Sequence, residues 1–61
     1  MKKYVEWANG DGKIVRLRVE GKREDAERCT YNVSSVWKAK STKLIIEENG
    51  VERVALEIIR K

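Results

Sequence analysis

The segment that most constrains the fold is residues 44–59, LIIEENGVERVALEII, in which two apolar runs flank an Asn-Gly dipeptide. Asn49 and Gly50 are the pair that most readily occupies the two positive-φ positions of a type I′ turn. Apolar residues alternate at period two after the turn, as in a half-buried strand: Val54, Leu56 and Ile58. The sequence therefore predicts a β-hairpin with strands over 43–48 and 51–59.

A second hairpin is predicted in the N-terminal third of the chain. Strands over 2–8 and 13–20 flank the turn sequence NGDG at residues 9–12. Apolar and polar residues alternate along both strands, which indicates one buried and one solvated face. The apolar positions of the two hairpins, together with one residue from the segment between them, form the predicted core: Val5, Trp7, Val15, Leu17, Val19, Val33, Leu44, Ile46, Val54, Leu56 and Ile58.

The segment between the hairpins, KREDAERCTYNVSSVWKAK, decides the fold class. As a helix it would align five residues on one stripe: Ala26, Cys29, Val33, Val36 and Trp37. However, residues 29–37 contain no strong helix former, and several of them favour strands. The summed propensity handicap is several kcal/mol, on the order of a few tenths per residue. We therefore predict a polar loop over 22–28 and a third strand over 30–40, with a bulge at Ser34-Ser35.

These elements predict a mostly β fold, a small antiparallel sheet or SH3-like barrel of about five strands whose last strand returns to the first. A helix over 23–40 would instead give an α+β fold of order ββαββ. That order resembles the β-grasp topology of the immunoglobulin-binding domains of bacterial surface proteins, in the succession of elements alone. Either way, residues 1–61 are expected to form one small domain.

Composition argues against an enzyme. The chain has no His and a single Cys, so it lacks the usual general base near neutral pH and the ligands of a zinc site. We therefore predict no catalytic residues, no metal and no cofactor. No apolar run approaches the roughly 18 residues of a membrane span, so we expect no membrane partner. The lone Cys29 favours a reducing, cytoplasmic location.

The net charge of +4 is compatible with a polyanionic partner. Projecting the predicted strands onto faces collects one aromatic residue and five cations on one solvated surface: Tyr4, Arg16, Arg18, Lys38, Lys40 and Lys43. Cations neutralise phosphates and a Tyr ring can stack on a base, so this basic sheet face is the predicted nucleic-acid site. No base-reading motif is present, and we expect sequence-tolerant binding.

Three other interpretations remain open at this point. Exposed Lys and Arg also simply solubilise a sheet, without any partner. A protein-binding adaptor or inhibitor would use the acidic hairpin, where residues 47–57 carry four Glu and one Arg, or an exposed sheet edge. A small homo-oligomer with a structural or regulatory role would bury the apolar surplus at Ala55 and Ile59 against a second copy.

Overall fold

The computed structural model describes residues 1–60, which form four strands and one helix. In chain order the elements are β1 (Lys2–Ala8), β2 (Ile14–Val19), α1 (Arg23–Trp37), β3 (Ser41–Glu48) and β4 (Val51–Ile59). Strand makes up 50% of residues 1–60 and helix 25%. The predicted fold class is confirmed, and of the two predicted orders the chain adopts ββαββ. The four predicted hairpin strands lie within two residues of the observed ones.

The sheet is antiparallel throughout, with the strand order β2-β1-β3-β4. We call β1 and β3 the inner strands and β2 and β4 the outer strands. The last strand pairs only with β3 and does not return to the first, so the sheet is open and not a barrel. The likeness to the β-grasp topology stays one of element order.

The prediction of a loop over 22–28 and a strand over 30–40 is wrong, because Arg23–Trp37 form α1. The start of the helix is defined locally. The Asp25 carboxylate accepts a hydrogen bond from the backbone N–H of Lys22 at 3.1 Å, and with Glu24 it places negative charge in the first turn. Packing against the sheet then offsets the weak helix propensity of the following residues.

The side of α1 that packs on the sheet differs from the predicted stripe. Its buried residues are Ala26, Thr30, Val33 and Ser34, whereas Val36 and Trp37 are exposed. The buried hydroxyl of Thr30 donates to the carbonyl oxygen of Ala26 at 2.8 Å, which removes the cost of an unpaired polar group. Small and polar residues therefore bring the helix close to the sheet, and Ser34-Ser35 lies in the helix instead of forming a bulge.

Burial separates the inner from the outer strands. The predicted core residues on the inner strands and the helix are buried: Val5, Trp7, Val33, Leu44 and Ile46. Four predicted core residues on the outer strands are half-buried: Val15, Val19, Leu56 and Ile58. The assignment of Leu17 and Val54 to the core is wrong, since they are 46% and 52% exposed. The helix lies mainly over β1 and β3 and leaves the flanks of the sheet uncovered.

The turn at Asn49-Gly50 forms as predicted, with φ of 54° and 80° at its two residues. The hairpin it closes is less regular than its sequence indicates. A register shift between Leu44 and Ile45 gives β4 one extra residue at this point, so that Leu56 pairs with Leu44 and Val54 with Ile45. This bulge interrupts the period-two alternation, and Val54 turns to the face of the sheet without the helix.

Candidate functional site: a basic cleft at the end of the sheet

The six predicted site residues do not form one surface. Four of them lie on the sheet face that the helix leaves open: Tyr4, Arg16, Arg18 and Lys43, which pairs opposite Glu6. Lys38 and Lys40 lie between α1 and β3, at the end of the sheet where Lys43 also lines a cleft. The split follows from α1, because residues predicted to continue a strand end a helix and enter β3 instead.

Arg16 on the open face is held by acidic side chains. Its guanidinium lies 2.9 Å from a Glu52 carboxylate oxygen and 2.9 Å from a Glu6 carboxylate oxygen. It also lies 5.1 Å from the centroid of the Tyr4 ring, in cation–π geometry. The hydrogen bond to Glu52, followed by the one to Glu6, raises the pKa of Arg16. The arginine donors and the Tyr4 ring are therefore engaged within the protein.

Arg18, the second arginine of this face, pairs with Glu20 through Nε at 3.1 Å. Both members of that pair are solvent-exposed, so it is a weak interaction that a ligand can displace. Together the two arginines face three carboxylates, with Glu6 and Glu52 held by Arg16. The open face thus carries a mixed charge in which each arginine is paired with acidic side chains.

The other group of cations surrounds a cleft of about 520 Å³, within the size range of small-ligand sites. The first hairpin turn forms one wall, and the segment from the end of α1 to the start of β3 forms the other. We call it the end cleft. The lining residues that matter for its chemistry are Trp7, Ile14, Trp37, Lys38, Lys40 and Lys43.

Two tryptophans form the aromatic part of the end cleft. Trp7 on β1 is only 6% exposed, whereas Trp37, the last residue of α1, is 57% exposed. Their ring centroids lie 6.1 Å apart with an interplanar angle of 34°. Trp7 anchors the pair in the core and Trp37 offers ring surface to solvent.

The chain leaves the helix through a strained residue. Lys38 takes the left-handed conformation, with φ of 50° and ψ of 39°, at the position where glycine is usual. This conformation costs a non-glycine residue about 1–2 kcal/mol. It redirects the backbone so that Lys38 and Lys40 line the end cleft. Residues held in such conformations are enriched at ligand sites.

The lysines of the end cleft are available for an anion. Lys38, Lys40 and Lys43 form no ion pair within residues 1–60. Glu6 is the one acidic residue among the described lining residues, and Arg16 already holds it. The cleft therefore presents three lysine charges against a single, already paired carboxylate.

The C-terminal carbonyls of α1 carry partial negative charge close to the end cleft, which would disfavour an anion. A side chain from beyond β4 offsets part of this effect. The Arg60 guanidinium donates to the carbonyl oxygen of Ser34 at 2.9 Å. The backbone N–H of Arg60 also donates to the carbonyl oxygen of Lys40 at 2.9 Å, which ties the cleft wall to the end of the sheet.

The aromatic pair is the feature that sequence reasoning missed. Trp7 and Trp37 lie 30 positions apart, and the strand interpretation of residues 30–40 gave no reason for them to meet. One local signal was present: Trp37 directly precedes Lys38 and is followed by Lys40, so an aromatic residue adjoins two cations. Cations beside an aromatic ring are typical of surfaces that bind nucleic-acid strands.

Fold and site together define an α+β domain with an open antiparallel sheet and a basic, tryptophan-lined cleft at one end. No protein-family model matches the chain, and no curated protein or solved structure is significantly similar to it. Within residues 1–60 no group of three or more His, Cys, Asp or Glu side chains has the arrangement to hold a metal ion. No helix in the described part of the chain has the length and apolar character to cross a membrane.

Proposed function

We propose that this protein is a non-enzymatic binding module that holds single-stranded nucleic acid at the end cleft. The observation that carries the proposal is the exposed Trp37 ring beside lysines that have no ionic partner within residues 1–60. A base stacks on the indole, which contributes about 1–3 kcal/mol per base in such sites. Lys38, Lys40 and Lys43 neutralise the adjacent phosphates.

The proposal keeps the predicted ligand class and moves the site away from the sheet face. Arg16 is excluded as a primary contact because its donors already bind Glu6 and Glu52. A single strand is favoured over a duplex because stacking on Trp37 requires a base that is free of its own stack. Contacts to phosphate carry no sequence information, so binding is sequence-tolerant.

The proposed location is the cytoplasm. Cys29, the single cysteine, is partly buried and has no partner for an intramolecular bridge. Small secreted domains commonly depend on several disulfides, so a chain of this size without any suits a reducing compartment.

The test compares two variants that each lose two positive charges. Lys38→Gln with Lys40→Gln alters the end cleft, and Arg16→Gln with Arg18→Gln alters the open face. Both are titrated with a ten-nucleotide thymidine oligomer at about 20 mM and 200 mM salt, because phosphate contacts make affinity salt-dependent. We expect the lysine pair to lose about tenfold or more in affinity at low salt, with a shallower salt dependence. The arginine pair should change affinity less than about threefold.

Two outcomes contradict the proposal. A greater loss from the arginine pair than from the lysine pair would return the site to the open sheet face. Absence of any binding tighter than about millimolar at low salt would favour the protein-binding adaptor, since non-specific nucleic-acid binding is commonly micromolar even at physiological salt.

A second candidate function, homo-oligomeric assembly, is favoured by the surface of β4. This outer strand is nine residues long and exposes three aliphatic side chains, those of Val51, Val54 and Ile59. Long apolar edge strands pair readily with other strands, although the bulge in β4 blunts this edge. Sedimentation equilibrium between 5 and 200 µM (about the range of weak dimers) is the test. A concentration-dependent mass that Val54→Lys abolishes supports assembly, and a constant monomer mass excludes it.

A further inference from the structure

Two buried side-chain polar atoms have no hydrogen-bond partner within residues 1–60, the indole Nε1 of Trp7 and the hydroxyl Oγ1 of Thr42. They belong to residues that pair across β1 and β3, on the side of the sheet covered by the helix. A buried donor without an acceptor is unfavourable, so native proteins rarely retain one. Only Trp7 of the two also lines the end cleft.

We infer that the Trp7 indole N–H is a hydrogen-bond donor to the ligand, and that a nucleobase inserted beside Trp37 supplies the acceptor. The inference rests on the proposed function and deepens it, because it makes an unstacked base an obligatory part of the ligand. Each of the four common bases carries an acceptor, either an exocyclic carbonyl oxygen or a ring nitrogen. One donor therefore requires a base in the ligand but does not discriminate among the four bases.

Trp7 lines the end cleft, and its Nε1 is shielded from solvent. We place the acceptor of this donor inside the cleft, beside the Trp37 ring. Trp37 packs against Trp7 at 6.1 Å, and it is the exposed member of the pair at the end of the helix. A base that moves the Trp37 ring aside stays in contact with that ring on one side and contacts the edge of the Trp7 ring on the other.

Binding of a base then gives the Trp7 N–H a hydrogen-bond partner, which a phosphate contact at the lysines does not. The Trp7 donor has no partner within residues 1–60 and becomes paired in the complex, so the complex gains a hydrogen bond that these residues do not supply. A ligand that offers only sugar and phosphate still meets the lysines but leaves this donor unpaired. The affinity difference between the two ligands measures the contribution of the base.

The experiment is a double-mutant cycle on protein and ligand. A chain of 61 residues is accessible to chemical synthesis, which allows a benzothiophene to replace the Trp7 indole. This replacement retains the bicyclic shape and removes the N–H. Trp7→Phe provides the recombinant counterpart, with a thermal melt to show that it folds. Each protein is titrated at low salt with a ten-nucleotide thymidine oligomer and with an abasic oligomer of equal length.

We expect the parent protein to bind the thymidine oligomer about tenfold or more tighter than the abasic one. Removing the N–H should weaken thymidine binding about five- to tenfold and leave abasic binding unchanged, as expected for the loss of one hydrogen bond. Thr42→Val is the matched control, because it removes the other unpaired polar atom from a residue outside the cleft lining. It should preserve affinity for both oligomers.

The contradicting outcomes separate the two proposals. Equal, salt-dependent affinity of the parent for both oligomers would leave nucleic-acid binding in place and overturn the role of Trp7. An equal loss on both oligomers upon removal of the N–H would also overturn it, because the donor would then support the protein and not the base. Binding of neither oligomer would overturn this inference and the proposed function together.

Discussion

The inner and outer strands have similar alternating sequences, but their side chains are buried to different extents. Leu17 on β2 and Leu44 on β3 both occupy apolar positions of alternating strands that face the helix side. Leu44 is completely buried, whereas Leu17 is 46% exposed. The difference arises because a single helix covers about two strand widths, since a helix is about 10 Å across and strands lie about 4.8 Å apart. Alternation indicates which way a side chain points, and the helix decides whether it is buried.

The end cleft belongs to the inner part of the molecule. Trp7 ends the buried row of β1, and the segment between α1 and β3, with Lys38 and Lys40, lines the cleft beside it. The arginines of the open face extend instead from β2, an outer strand, and Lys43 lies on the same face opposite Glu6. Two of the cleft lysines therefore gather where the helix ends, whereas the arginines paired with Glu side chains lie where the sheet is uncovered.

The largest expected effect is at the centre of the inner strands. Leu44→Ala should lower the free energy of unfolding by about 2–5 kcal/mol, because it leaves a cavity in a fully buried site. Leu17→Ala on the outer strand should cost less than about 1.5 kcal/mol, since much of that side chain is already hydrated. Urea denaturation of both variants is the measurement. Equal losses in the free energy of unfolding would show that the helix covers the outer strands to the same extent as the inner ones.

The packing of α1 on the inner strands depends on the start of the helix, and a substitution of Gly21 tests this dependence. Its φ is 103°, and an added Cβ would lie 2.8 Å from a carboxylate oxygen of Asp25. Gly21→Ala should therefore strain the backbone and disturb the Asp25 hydrogen bond to Lys22, at a cost of about 1–3 kcal/mol. Loss of helical ellipticity in circular dichroism, together with a lower melting temperature, is expected. An unchanged melting temperature would show that the helix start does not limit stability.

A substitution at the end of the helix is expected to change stability in the opposite direction. Lys38→Gly should stabilise the fold by about 0.5–1 kcal/mol. Glycine relieves the left-handed strain, and this gain exceeds the additional entropy that glycine loses on folding. The same variant should bind the thymidine oligomer several-fold more weakly, since the cleft loses a cation. Thermal melts and titrations on one preparation measure both quantities. A less stable variant would contradict the strain at Lys38, and unchanged binding would remove Lys38 from the site.

The smallest effect is expected on the open face. Arg16→Gln removes an ion network that spans the sheet from β2 to β4, yet its members are partly exposed and screened by salt. The melting temperature should fall by less than about 4 °C at 0.15 M salt, and the difference should shrink in 1 M salt. A large, salt-independent fall would mean that this network, and not only the helix, holds the outer strands in place.

The sequence predicted both hairpins because their signals are local. The turn residues Asn49 and Gly50 lie between alternating runs, and each strand needs only its neighbour along the chain to show its pattern. It also identified the cations that now line the end cleft. It placed Lys43 on the sheet face that this residue occupies, but it assigned Lys38 and Lys40 to that face as well, because their position depends on residues 23–37 being helical.

The strand interpretation of residues 30–40 was preferred to the alternative helix because the propensity signal of this segment and its packing disagree. Thr30 and Ser34 are weak helix formers, and no apolar stripe marks them as interior positions. In the fold they are the residues that let α1 approach the sheet, with the Thr30 hydroxyl paired to its own helix backbone. A pattern of apolar residues cannot reveal an interface built from small polar ones.

Sequence alone thus determined the strands, their turns and, outside the bulge of β4, the direction in which each alternating side chain points, since these follow from steric preferences within a few residues. Tertiary structure alone decided that residues 23–37 form a helix, that Leu44 is buried and Leu17 is not, and that Trp7 meets Trp37. It also decided that Arg16 is neutralised by Glu52, a residue 36 positions away. These outcomes depend on contacts between distant segments, whose free energy appears only when the helix packs on the sheet.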